Sequence, residues 1–347
     1  MRSVRIMSWR FFAFAQRKDT MSKRILLIDG DLVVYRNAAA AEKRFVDVTH
    51  IKSGHVKRFD NRTQFKDFLK AKDFPYDPAA YFIKDIQEPL PVGIAFNIID
   101  KLYQQLHDVA WPDSTEVYIG QSGSTFRHSL PLPKPYKFNR DDSIKPTHLE
   151  ACKRYLKKQF GATVCDAHYE TDDVLTIRAY EELAKGNIPI IATIDKDAGQ
   201  SQGVGLLNWN HEPPEVKTIP ELGVPIYNEK SSWKGNGVRF LAFQTLAGDT
   251  TDTYCAYDAS NVKYGPTKAA DVLNTANSPK EVLELLIGEF KKIFPLPVNY
   301  KTWDGKDVIG ATWEDMLQMY WKCAYMKRSW DDPSDFWEYA KRYEVTK

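Results

Sequence analysis

Nine carboxylates in four short clusters are the residues of this 347-residue chain best suited to chemistry: Asp29 and Asp31; Glu170, Asp172 and Asp173; Asp195 and Asp197; Asp249 and Asp252. Three clusters follow apolar runs, Ile25-Leu26-Leu27-Ile28, Ile188 to Ile194 and Phe240 to Ala247, while the other opens an apolar helix beginning at Val174. Acidic residues at the ends of buried elements tend to point into shared crevices. Residues two apart on a strand face one side, so Asp29 with Asp31, and Asp195 with Asp197, are each expected to aim two carboxylates at one point. Gathering this much like charge is repulsive unless hard divalent cations neutralise it, and Mg²⁺ takes carboxylate oxygens while keeping several waters. Capping and turn formation, at about 1 kcal/mol each, would account for any one cluster but not for four. A Mg²⁺ site is the leading inference.

Composition sets the class. With 43 % hydrophobic and 27 % charged residues the chain has an ordinary globular profile, and no stretch approaches the roughly 20 apolar residues of a membrane span. Cys152, Cys165, Cys255 and Cys323 show no CxxC spacing, which argues against zinc and for a reducing cytoplasm. The net charge of +2 conceals a segregation: between Arg127 and Lys158 there are nine Lys or Arg against three Asp or Glu. A basic arm beside an acidic pocket suits an enzyme that cleaves a polyanion, because the arm attracts the phosphates by counterion release while metals shield them from the carboxylates. The alternative for the arm is a solvated helix face.

The elements that must position these groups are legible in outline. Residues 1–20 are basic and aromatic and are set aside as a flexible leader. A buried strand is expected from Arg24 to Val34, followed by an alanine-rich helix from Tyr35. The alternation from Phe45 to Phe59 around Lys52-Ser53-Gly54 predicts a hairpin, and Asp60 to Pro91 reads as a polar, Pro-punctuated insertion. Ile94, Ile98, Leu102 and Leu106 mark an amphipathic helix leading to a strand over Glu116 to Gly120. Strand, helix, strand implies a parallel sheet, continued by a helix from Asp173 to Lys185 and a strand from Ile188 to Ile194. The expectation is an α/β fold: a parallel-sheet core over residues 21–239, carrying the basic arm at about residues 124–160, and a helical C-terminal lobe over residues 240–347.

Taken together, the motifs resemble those of the 5′→3′ exonuclease and flap endonuclease family, most closely its short bacteriophage members. The likeness rests on Ile28-Asp29-Gly30-Asp31, on Phe126-Arg127 leading to Tyr136-Lys137-Phe138-Asn139-Arg140, and on Glu170-Thr171-Asp172-Asp173. It continues through Thr193-Ile194-Asp195-Lys196-Asp197 and Gly248-Asp249-Thr250-Thr251-Asp252, in the family's order, over about Arg24 to Leu273. The resemblance implies a PIN-like 5′-nuclease core, a helical arch formed by the arm, and a helix, three-turn, helix unit in the C-terminal lobe. It implies two Mg²⁺ ions, with Mn²⁺ as a substitute: Asp29, Glu170, Asp172 and Asp173, with Asp31 nearby, at the first, and Asp195, Asp197, Asp249 and Asp252 at the second. By the same resemblance Lys137 and Arg140 hold the scissile phosphate, Arg127 contacts DNA, Tyr136 stacks on an unpaired base, and Lys263, Gly265 and Lys268 meet duplex phosphate. The function implied is two-metal hydrolysis of DNA from 5′ ends to 5′-phosphate products, as in phage-type replication or primer removal. Flaps and RNA–DNA hybrids are the related substrates.

Two departures from the family pattern stand out. The turn Val262 to Ala270 holds one glycine where two or three are usual, and Ile119-Gly120-Gln121-Ser122-Gly123 lacks the aspartate that family members usually carry after the second strand. Two other readings stay open. A phosphatase of the haloacid dehalogenase type also begins with Asp-x-Asp after a strand, although it leaves the second and third clusters and the basic arm without a role. The other is a DNA-structure-binding protein of this fold with weak catalysis.

Overall fold

The computed structural model describes residues 22–347 apart from 75, 122, 139–143, 261 and 263, so the leader, Ser122, Arg140 and Lys263 lie outside the described residues. The first strand, β1 (Arg24–Asp29), is buried on both sides: Leu26 and Ile28 face one hydrophobic cluster, Ile25 and Leu27 another. Such a strand needs helices on both faces. On the first face lie α1 (Gly30–Ala40), α3 (Gly93–Ala110) and α4 (Leu149–Phe160), which contribute Val34, Ile99 and Leu156. On the second lies α5 (Thr171–Ala184), through Leu175 and Ala179.

Between α1 and α3 the chain makes a separate three-stranded antiparallel sheet, β2 (Glu42–His50), β3 (Val56–Phe59) and β4 (Tyr81–Pro89), with α2 (Arg62–Ala71) closing a small core around Phe65 and Leu69. The hairpin therefore forms where alternation places it. The polar insertion contributes α2 and β4, whose short apolar sets, Phe65, Phe68 and Leu69 in the helix and Tyr81 and Ile83 in the strand, stand among charged and polar residues. The main sheet continues with β5 (Ser114–Ile119), β6 (Thr163–Val164), β7 (Ile188–Ala192), β8 (Gly205–Leu207) and β9 (Val216–Thr218), in the order β6-β5-β1-β7-β8-β9. All pairs are parallel except β8 with β9. The chain steps from β1 to β5 on one side and later to β7 on the other, so the carboxyl end of β1 is a topological switch point, where α/β sheets open a crevice.

A short hairpin, β10 (Tyr227–Glu229) and β11 (Ser232–Lys234), leads into the helical lobe. The lobe comprises α6 (Gly237–Ala247), α7 (Pro266–Leu273), α8 (Pro279–Ile293), α9 (Trp313–Ala324) and α10 (Phe336–Lys341), with the hairpin β12 (Val298–Lys301) and β13 (Asp307–Ala311) between α8 and α9. Phe240, Leu286, Phe290, Trp321 and Phe336 fill its core, which also takes in Leu132 and Tyr136. Among the described residues no helix is long and apolar enough to cross a membrane.

Three expectations require correction. The first strand ends at Asp29, whose carboxylate accepts the Leu32 N–H and starts α1 at Gly30, five residues before Tyr35. β7 likewise stops at Ala192, and Asp197 begins a 3₁₀ turn. Strand alternation therefore does not explain how Asp29 and Asp31, or Asp195 and Asp197, are aimed. Finally, among the described residues the basic arm forms no arch helix. Phe126–Ser129 is a 3₁₀ turn, Leu132 and Tyr136 sink into the C-terminal lobe, and α4 packs on the core through Cys152 and Leu156.

Candidate metal and nucleic-acid cleft

At the carboxyl end of β1 lies a cleft of about 1260 Å³ lined by Asp29, Asp31, Glu170, Asp172 and Asp195, together with Lys137. Local sequence explains the convergence. Asp29 is both the last residue of β1 and the N-cap of α1, and its second oxygen accepts the Thr193 hydroxyl at 2.7 Å from the segment after β7. Gly30 is needed because a Cβ there would lie 2.5 Å from the Tyr118 carbonyl oxygen, so only glycine lets α1 start against β5. Asp31, in the first turn of α1, accepts the Gly120 N–H at 2.8 Å and the Thr171 hydroxyl at 2.5 Å, tying the end of β5 to the start of α5. A Cβ on Gly120 would come within 2.8 Å of that carboxylate. Glu170 caps α5 and Asp172 stands in its first turn, where the helix dipole favours negative charge.

Burial pushes the Asp29 carboxyl up to about 7, with Asp31 and Asp195 adding repulsion against the bonds from Thr193 and Leu32. Desolvation followed by the charges of Asp195 and Asp29 raises Asp172 well above the usual carboxylate range, which Lys137 partly offsets. Asp197 is raised in the same way, by desolvation and then by Asp195, with Lys196 acting against the shift. The carboxylates have drawn in ammonium groups: Lys137 Nζ lies 2.7 Å from Glu170 and 3.9 Å from Asp252, and Lys196 Nζ lies 2.6 Å from Asp249. Lys137 is held there by a left-handed backbone, φ 58°, and by its N–H donating to the Asp252 carbonyl at 2.9 Å. Among the described residues no three His, Cys, Asp or Glu side chains are gathered tightly enough to grip a metal ion. The donor set nevertheless suits a hard cation: oxygen ligands only, under mutual repulsion, with lysine ammonium groups standing in the positions of positive charge.

The nine carboxylates divide into groups with different surroundings. Asp29, Asp31, Glu170, Asp172 and Asp195 line the cleft. Asp197, Asp249 and Asp252 have protein partners: Gln244 donates to Asp197 at 2.5 Å, the Thr251 N–H to Asp249 at 2.7 Å, and the Tyr136 hydroxyl to Asp252 at 2.9 Å. Asp173 is a correction to the expected ligand set. It is fully buried and engages Arg127 through both oxygens, at 2.6 and 2.9 Å, while accepting the Lys327 N–H.

Two further corrections follow in the basic arm. Arg127 is 0 % exposed and cannot touch DNA; it also donates to the carbonyls of Cys323 and Tyr325, bolting α5 to the end of α9. Tyr136 is 4 % exposed, so its ring has no face open to a base. Gly265 caps α7 with Pro266 at its first position, and Lys268 lies on the exposed surface over the Tyr264 ring. Neither Gly265 nor Lys268 lines the cleft. Gln121, in place of the missing aspartate, is exposed and does line it.

Thr171, Thr193 and Lys196 stand inside the acidic motifs with no sequence signal of their own, and Trp303 lies outside every motif. A Trp-Asp-Gly turn between two alternating segments was the only signal for Trp303.

The sequence matches no protein-family model and no curated protein. Among solved structures, the chain is similar to T5 5′-exonuclease with bound divalent metal ions (zinc), at 12 % identity and TM-score 0.44, covering 76 % of this chain and 80 % of that one. It is also similar to the bacteriophage T5 D15 flap endonuclease in a pseudo-enzyme-product complex with DNA and metal ions, at 11 % identity and TM-score 0.42, covering 76 % of this chain and 78 % of that one.

Proposed function

We propose that this chain is a divalent-metal-dependent nuclease that hydrolyses DNA phosphodiesters from 5′ ends, leaving 5′-phosphates, with Mg²⁺ as the working ion and flaps among its substrates. The observation that carries this reading is the meeting of five carboxylates from β1, α1, α5 and the segment after β7 in one cleft with the Lys137 ammonium. The order and spacing of the acidic motifs support the 5′-nuclease assignment specifically.

Asp29, Glu170, Asp172 and Asp195 are the residues that would hold the cation, with Asp197, Asp249 and Asp252 behind Asp195 as the candidates for a second. A hard divalent ion there supplies phosphate charge neutralisation and acidification of water. The chain's own groups do the rest. Thr193 orients Asp29, and Gly120 with Thr171 orients Asp31. Lys137, whose backbone N–H is held by the Asp252 carbonyl, exchanges Glu170 for a phosphate oxygen and stabilises the charge that grows there. Asp173 and Arg127 hold the first turn of α5, and hence Glu170 and Asp172, against the C-terminal lobe.

The test is incubation of the protein with 5′-labelled duplex and flap DNA in Mg²⁺ or EDTA, beside Asp172→Asn. The expected result is Mg²⁺-dependent release of 5′-phosphorylated products by the wild type alone. Release of phosphate from a monoester with intact DNA would identify a phosphatase instead, and cleavage undiminished in Asp172→Asn would overturn the metal assignment.

A further inference from the structure

The cleft that holds the carboxylates also displays two large aromatic rings. Trp303 is 50 % exposed and Phe138 57 % exposed, and both line it. Other aromatic residues of this lining are already engaged: Phe126 is covered by the Arg127 and Lys327 cations, and Tyr136 is buried with its edge toward His128. Among the described residues neither Trp303 nor Phe138 meets another ring or a cation.

Trp303 is displayed on a fixed support. It sits in the turn between β12 and β13, where the Thr302 hydroxyl donates to Asp304, the Lys306 N–H donates to Thr302 Oγ1 at 3.0 Å, and Gly305 takes φ 83°. Its backbone N–H donates to the carbonyl of Leu132, a residue sunk in the lobe core, at 2.9 Å. The Tyr300 hydroxyl donates to the Pro131 carbonyl one residue earlier in the arm. The hairpin is thus pinned at two points to the segment that delivers Lys137 and Phe138 to the cleft. Exposing a large apolar ring beside an acidic pocket is unfavourable in isolation, and a rigid backbone under it lowers the ordering cost of binding a ligand there.

We propose that Trp303, with Phe138, is a nucleobase-stacking platform that binds an unpaired nucleotide next to the carboxylates. The inference rests on the nuclease reading and deepens it. The carboxylates repel phosphate except where Lys137 or a cation meets it, so the uncharged faces of bases can add affinity at the mouth of the cleft in a sequence-tolerant way. A base takes both faces out of the duplex stack to lie on an indole, so the platform selects single-stranded nucleotides at the cleft and leaves paired ones outside.

The test is a cycle between protein and base. Affinity for a 5′-phosphorylated single-stranded oligonucleotide, and for the same oligonucleotide with its three 5′-terminal bases replaced by abasic sites, is measured by fluorescence anisotropy in EDTA for wild type, Trp303→Ala, Trp303→Phe and Phe138→Ala. Trp303→Ala should lose about tenfold in affinity for the normal oligonucleotide, equivalent to about 1.4 kcal/mol. It should lose nothing for the abasic one, and Trp303→Phe should restore most of the loss. Equal weakening of both oligonucleotides by Trp303→Ala and Phe138→Ala would mark a loss of structure rather than of stacking, and no weakening of either would show that the rings do not meet bases; both overturn the proposal. Mg²⁺-dependent DNA cleavage by the wild type, run alongside, separates these outcomes from failure of the nuclease reading itself.

Discussion

Asp172 and Asp173 are neighbours in sequence with opposite surroundings, and only neutralising the second should destabilise the fold. Asp173 is buried against a buried Arg127, with donor–acceptor distances of 2.6 and 2.9 Å, and the guanidinium has two further carbonyl partners at 3.2 and 2.6 Å. Asp173→Asn leaves the guanidinium one uncharged side-chain oxygen in place of two carboxylate oxygens, beside its two carbonyls and Glu170 at 3.6 Å, and places an amide N–H₂ against its own donors. Removing one partner of a buried ion pair costs about 3–5 kcal/mol because the other charge stays buried and uncompensated. That is a large share of a total stability of about 5–15 kcal/mol. Asp172, whose carboxyl desolvation and neighbouring acids hold well above the usual range, is destabilised when ionised, so Asp172→Asn should be neutral or stabilising at pH 7.5. The assay is urea unfolding in EDTA, which keeps metal binding out of the comparison. Asp173→Asn within about 0.5 kcal/mol of wild type, a change below any named burial penalty, would refute the strut role and return Asp173 to the ligand set. Equal destabilisation by both substitutions would refute the distinction between cleft and core.

Three other outcomes follow from the same geometry. Because burial raises Asp29 to about 7, its ionisation opposes folding increasingly as pH rises from about 4 to 7 and fully above that; Asp29→Asn, which keeps an acceptor for the Leu32 N–H, should be more stable than wild type at pH 8 in EDTA and equal to it near pH 4. Urea midpoints at the two pH values check this, and a less stable variant at pH 8 contradicts it. Lys137→Ala should lower the single-turnover cleavage rate by at least roughly tenfold; a change confined to the salt dependence of binding would make the lysine a steering charge only. Gln121→Asp, on the cleft at the end of β5, should lower the Mg²⁺ concentration for half-maximal cleavage; an unmoved midpoint in a Mg²⁺ titration would mean that this position does not reach the ions.

The sequence by itself determined the apolar strands, the amphipathic helices and the identity of the acidic clusters, because hydrophobic periodicity and charge are local properties. It also placed the clusters at element ends, and five of the nine carboxylates line one cleft. Only the tertiary structure decided what each acid does. Asp172 and Asp173 differ by a rotation of about 100° along α5, which turns one to the cleft and the other onto Arg127, a residue 46 positions away. Arg127 and Tyr136 look like DNA contacts in a basic segment, yet burial is set by what packs over them, here α9 and the C-terminal lobe. Trp303 shows the converse. Its turn is local, but its place on the cleft depends on the Leu132 carbonyl 171 residues earlier, and no spacing rule carries that distance.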